Sequence, residues 1–92
     1  MKFGKEEDQG YNPHLKAAFL QVVENQLEAN DPPEAREAFN RLVSRGVSEE
    51  DAKIYIAQAS CVEMFNILKY KKPFNLKRYV KNLKRLPKEP QE

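Results

Sequence analysis

The longest helix-forming segment of the chain constrains its fold most. Residues 49–71 contain no proline and no glycine, and most of them are good or neutral helix formers. An ordinary surface helix has a narrow apolar stripe. Here the apolar side chains form a broad arc that consists of Ile54, Ala57, Cys61, Val62, Met64, Phe65 and Leu68. Ile56 and Ile67 lie at the edge of this arc and extend it. We therefore predict a central helix that other helices cover on most of its circumference.

The remaining wedge of this helix is polar or amphipathic, with Tyr55, Ala59, Glu63, Asn66 and Tyr70. We expect an ordinary solvent-exposed face there. An enclosed polar pocket around Glu63, Asn66 and Tyr55 would instead favour an enzyme.

Capping signals divide the rest of the chain into three shorter helices. Asn12-Pro13 predicts the start of the first helix. The second helix is predicted to start with Asp31 as its cap and Pro32 at its first helical position. Gly46 predicts the end of that helix, and Ser48 caps the central one. A final helix is predicted after Pro73-Phe74, with Asn75 as its cap and Phe74 packed on Tyr79.

Each shorter helix has one apolar face that we expect to be buried. The predicted faces are Leu15, Phe19, Val22, Val23 and Leu27; Ala35, Ala38, Phe39, Leu42 and Val43; and Leu76, Tyr79, Val80, Leu83 and Leu86. No segment alternates as a strand does. The fold class is therefore all-α, a compact four-helix domain around a long central third helix. Its predicted parts are a mobile leader (1–11), the helical domain (12–87) and a polar tail (88–92).

Charge is distributed unevenly along the chain. Residues 1–68 carry seven basic and twelve acidic side chains, whereas residues 69–88 carry nine basic ones and no acid. A surface of one sign suits phosphate neutralisation, and it equally suits a solvated face that maintains solubility. The candidate anion or nucleic-acid patch is Lys69, Lys71, Lys72, Lys77, Arg78, Lys81, Lys84, Arg85 and Lys88. Lys77, Lys81, Lys84 and Lys88 are spaced to line one side of the last helix.

The joints between helices resemble those of a bacterial family of short all-helical domains of unknown function. The resemblance rests on Asn12-Pro13-His14-Leu15, Asp31-Pro32-Pro33-Glu34, Gly46 with Ser48 and Ala52, Pro73-Phe74-Asn75 with Arg78-Tyr79, and Leu83 to Pro87. It covers residues 12–87 and implies the fold without implying a substrate. The corner from Leu42 to Ser48 also resembles that of ubiquitin-associated modules and of helix-turn-helix proteins.

Little in the sequence supports catalysis. His14 is the only histidine, and Cys61 lies on the predicted buried arc, where a thiol is unreactive. One histidine and one cysteine do not make a tetrahedral zinc site, and no phosphate-binding glycine loop is present. We predict neither an enzyme nor a cofactor.

The sequence favours a binding or adaptor module that contacts a protein. Ile56 and Ile67 are the candidate interaction surface if the three other helices leave them uncovered, and the partner is then another protein or a second copy of the chain. The alternative is an accessory domain that binds nucleic acid non-specifically through the basic last helix. A lone cysteine fits a cytoplasmic location, and no apolar run is long enough to span a membrane.

Overall fold

A computed structural model describes residues 13–91, which form four helices and no strand. The helices are α1 (Pro13–Ala29), α2 (Pro33–Ser44), α3 (Glu49–Tyr70) and α4 (Leu76–Arg85). Helices α2 and α3 each contact the other three. This confirms the all-α, four-helix class with a long third helix. The predicted leader, residues 1–11, lies outside the described residues.

The turn between α2 and α3 has the form that the sequence predicts. The amide of Val47 donates to the carbonyl of Leu42 and that of Gly46 to Val43, which together make a Schellman motif around Gly46 at φ 96°. The Ser48 side chain then accepts from the amide of Asp51. The predicted terminator Gly46 and the predicted cap Ser48 are thus both confirmed.

The start of α2 differs from the prediction. Pro32 is extended, at φ −77° and ψ 151°, and Pro33 takes the first helical position, with no side-chain cap. A residue that precedes a proline is pushed out of the helical region, so Pro32 cannot belong to the helix. The predicted cap by Asp31 is therefore wrong, and α2 begins one residue later than expected.

Two arginines of α2 instead satisfy carbonyl groups at the ends of neighbouring helices. Arg36 donates to the carbonyl of Leu27 near the end of α1. Arg41 donates to the carbonyls of Leu83, at 3.1 Å, and Leu86, at 2.8 Å, at the end of α4. Helix C-termini carry unpaired carbonyls and a partial negative charge, so a guanidinium group stabilises them.

The core includes residues from all four helices, and Tyr79 of α4 lies at its centre. Its hydroxyl donates to Oε1 of Gln26 on α1 at 2.6 Å and accepts from Oγ of Ser60 on α3 at 3.2 Å. The ring of Phe74 packs on Tyr79 at 5.5 Å, as predicted. The buried apolar residues are Val23, Leu27, Ala35, Ala38, Phe39, Leu42, Ala52, Ile56, Ala57, Ala59, Tyr79, Leu83 and Leu86.

Helix α3 buries the middle of the face that the sequence predicts to be polar, whereas Tyr70 at the end of that face is exposed. Besides its apolar residues, this face contains Ser60, Glu63 and Asn66, all buried. Small side chains at Ala52, Ala59 and Ser60 allow neighbouring helices to approach closely, and the polar groups find partners. Our prediction that Glu63 and Asn66 lie on an exposed face is wrong.

Three apolar residues outside α3 that were expected to be buried are exposed. Leu15 and Val22 on α1 and Leu76 on α4 are 54%, 43% and 54% exposed. The spacing of α1 placed Leu15 and Val22 on the same stripe as Val23 and Leu27, but α1 turns only the second pair towards the core. Leu76 follows the cap of α4, where the chain enters the helix from solvent.

Candidate interaction surface

The buried carboxyl group of Glu63 holds the start of α4 against α3. Arg78 donates to it twice, from Nε to Oε2 at 2.6 Å and from Nη2 to Oε1 at 3.0 Å, and the amide of Asn75 donates to Oε1 at 3.0 Å. Burial raises the pKa of Glu63, but the hydrogen bonds from Arg78 and Asn75 and the charge of Arg78 outweigh it, so the pKa lies below its usual value. This ion pair explains how a charged residue is tolerated on the inner face of α3.

Arg78 is consequently occupied within the fold and does not resemble the other members of the predicted basic patch. Arg85 is partly buried, and its Nε has no hydrogen-bond partner among the described residues. Seven members are exposed lysines: Lys69, Lys71, Lys72, Lys77, Lys81, Lys84 and Lys88. Helix α4 ends at Arg85, so Lys88 lies beyond it and the predicted line of four lysines on one helix is reduced to three.

A shallow pocket of about 280 Å³ lies beside the exposed lysines of α4. The C-terminal segment forms one wall, because the side chain of Asn82 exchanges two hydrogen bonds with the backbone of Gln91, at 2.8 and 2.9 Å. The pocket is lined by Asn75, Lys77, Arg78, Lys81, Asn82 and Gln91. Two exposed lysines therefore line the same recess as three amide-bearing residues, Asn75, Asn82 and Gln91. The sequence does not reveal this pocket, because residues 88–92 have only the composition of a polar tail.

The outward side of α3 is apolar except for Gln58, and we call it the α3 outer face: Ile54, Gln58, Cys61, Met64, Phe65 and Leu68. Met64 is 44% exposed, Phe65 45% and Leu68 69%. These positions follow the spacing of a helix stripe, which an isolated surface helix normally fills with polar residues. Large side chains exposed side by side on one helix are typical of an interaction surface.

The structure corrects two predictions about α3, namely its interaction surface and the burial of Cys61. Ile56 is fully buried in the core, so it cannot belong to an interaction surface, and Ile67 is partly buried. Cys61 is exposed rather than buried. Its neighbours still desolvate the thiol enough to raise its pKa, which disfavours the reactive thiolate.

Charged groups of opposite sign flank the α3 outer face. Glu49, Glu50 and Asp51 are exposed in the first turn of α3, and Lys69, Lys71 and Lys72 are exposed at its end. The ammonium group of Lys69 lies over the rings of Phe65, at 5.1 Å, and Tyr70, at 5.4 Å. The outer face is thus an apolar strip with an acidic end and a basic end.

The histidine and the acidic residues in residues 13–91 do not cluster as metal ligands. His14 is exposed on the first turn of α1, and no group of three or more His, Cys, Asp or Glu residues in this range could hold a metal ion. None of the helices described is long and apolar enough to cross a membrane.

Comparisons with protein-family models, with curated proteins and with solved structures find no match for this chain. The resemblance to a bacterial helical family therefore stays a prediction.

Proposed function

We propose that this chain is a protein-interaction module that binds an apolar helical surface through the α3 outer face. The observation that carries the proposal is the exposure of Met64, Phe65 and Leu68 on one side of the longest helix. Burying these side chains against a partner would contribute roughly 1 kcal/mol or more each, from the loss of their exposed apolar area. A binding role of this kind requires no catalytic group, and a cytoplasmic location suits the exposed thiol of Cys61.

A photo-cross-linking residue introduced at Leu68 tests this proposal inside the cells that make the protein. We expect one discrete adduct of defined mass from position 68. The same residue at Asn40, which is exposed on α2, is the matched control and should yield none. Equal labelling from both positions, or no adduct from either, would contradict the proposal.

A second function, the binding of nucleic acid, is favoured by the pocket beside α4. Lys77 and Lys81 line that pocket, and Lys84 is exposed on the same helix. Lysines that contact phosphates release counterions, so affinity should fall steeply as salt increases.

A salt titration with mixed RNA and DNA tests this second function. Charge reversal at Lys77, Lys81 and Lys84 should weaken binding and reduce its salt dependence, while Lys16→Glu on α1 should change neither. The absence of binding at low salt would eliminate the nucleic-acid function.

A further inference from the structure

We propose that the partner of the α3 outer face is a second copy of this chain, with the two α3 helices packed antiparallel about a two-fold axis near Cys61. This inference rests on the proposed function, because it names the occupant of the same surface. Three features of the surface support it: its charge, its self-complementary shape and its length.

The charges at the two ends of α3 select an antiparallel pair. In such a pair the exposed acids Glu49, Glu50 and Asp51 of one copy lie beside the basic end of the other. That basic end carries Lys69, Lys71 and Lys72, all exposed. A parallel pair would place acid beside acid and base beside base, which is repulsive. Lys53 does not oppose this pairing, because it is bound to Glu24 of its own copy at 2.6 Å.

The apolar strip is also complementary to itself when it is reversed. With Cys61 at the centre, Ile54 lies opposite Leu68 of the second copy, and Gln58 lies opposite Met64. The most exposed large residue, Leu68, thus meets the partly buried Ile54, and the exposed Met64 meets the uncharged side chain of Gln58. Such self-complementarity is what a two-fold interface requires, because the same surface supplies both sides.

The strip is long enough for helix pairing. Ile54 to Leu68 covers four turns, about 21 Å at the usual rise of an α-helix. The outer face carries no charged side chain between these two residues, so no unpaired charge would be buried on association.

The oligomeric state of the full chain tests the proposal. We expect a dimer in sedimentation equilibrium at millimolar protein concentration. Leu68→Glu, which places a charge in the strip, should raise the dissociation constant by about 100-fold or more, since both copies carry the change. Leu15→Glu is the matched control, because Leu15 is an exposed leucine on α1 and should leave the dissociation constant within about two-fold of the wild type.

A charge exchange tests the antiparallel direction. Replacing Glu50 and Asp51 by lysine should weaken the dimer by about ten-fold, and combining this change with Lys71→Glu and Lys72→Glu should restore it. A short bis-maleimide should also join Cys61 of one copy to Cys61 of the other in the wild type, and Cys61→Ser is its blank. Failure of the restoration or of this cross-link in a chain that does dimerise would overturn the antiparallel arrangement.

The outcomes separate the dimer from the broader function. A wild-type chain that remains monomeric at millimolar concentration overturns the dimer. If Leu68 then still forms its discrete adduct with another protein, the interaction function stands. A monomeric chain with no adduct contradicts both.

Discussion

At the scale of single residues, the important feature is a carboxyl group buried between two helices. Glu63 is fully buried and its partner Arg78 is about one-fifth exposed, so the pair is only weakly screened by solvent. The sequence could not reveal this contact, because fifteen residues and a helix joint separate the two side chains. In the sequence, Glu63 looks like any acid on a polar face.

The low pKa of Glu63 predicts how stability depends on acid. Because the folded pKa lies below the ordinary value of 4.5, the ion pair contributes its full stability above that pH and loses it as the pH falls through the folded pKa. Urea unfolding at a series of pH values should show this loss in the wild type and a smaller loss in Glu63→Gln. The exposed control Glu50→Gln should keep the wild-type pH dependence, and a wild-type profile for Glu63→Gln would contradict the account.

Tyr79→Phe tests the hydrogen bonds that join three helices. The substitution keeps the ring but leaves the buried Ser60 hydroxyl and the Gln26 carbonyl oxygen without this partner, so we expect a loss of about 1–2 kcal/mol in the free energy of unfolding. Tyr70→Phe, on a half-exposed side chain, should change it by less than about 0.5 kcal/mol. Equal effects of the two substitutions would show that the buried hydroxyl carries no special role.

At the scale of elements, helix boundaries were the most predictable part of the fold. Gly46, Ser48 and Asn75 act where the sequence predicts, because each end depends on a hydrogen bond between residues three to five apart. Asp31 failed as a cap because two consecutive prolines compete for the first helical position. The caps supplied by Arg36 and Arg41 were not predictable, since they depend on which helix ends lie next to α2.

Gly46→Ala tests the C-terminal end of α2, where the chain adopts a positive φ. A Cβ at Gly46 would meet no atom within 4 Å, so any cost arises from the positive φ of 96° alone. We expect a loss of about 1 kcal/mol in chemical unfolding. Asn40→Ala in the exposed middle of α2 should be neutral or slightly stabilising, and an unchanged Gly46→Ala stability would mean that the turn has another conformation.

At the scale of the whole molecule, the sequence predicts which helix is central but not which of its faces is covered. Residues 49–70 form one unbroken helix in contact with all the others, as expected. The three neighbours, however, cover the side with Ala52, Ala59 and Glu63 and leave Phe65 45% and Leu68 69% exposed. Apolar periodicity identifies a helix face that is expected to be buried from solvent. It does not distinguish burial against the rest of this chain from burial against a partner.

The sequence likewise predicts where the basic residues lie along the chain but not which of them are used within the fold. The basic segment was evident from the sequence, and seven of its lysines are exposed. Arg78 and Arg85 could not be separated from them by composition, because only the fold brings Arg78 to Glu63. The acidic and basic ends of the α3 outer face likewise become a pattern only once α3 is one continuous helix.

Two glutamine substitutions on α3, five residues apart, test the central claim that this helix turns its polar face inward. Their free energies of unfolding should be measured in urea at submicromolar protein concentration, where self-association contributes nothing. We predict that Glu63→Gln costs about 3 kcal/mol, because it removes the charge that pairs with Arg78 in a buried site. Leu68→Gln should change the free energy by less than about 0.5 kcal/mol, because Leu68 lies largely in solvent. A large loss for Leu68→Gln together with an unchanged stability for Glu63→Gln would contradict the account.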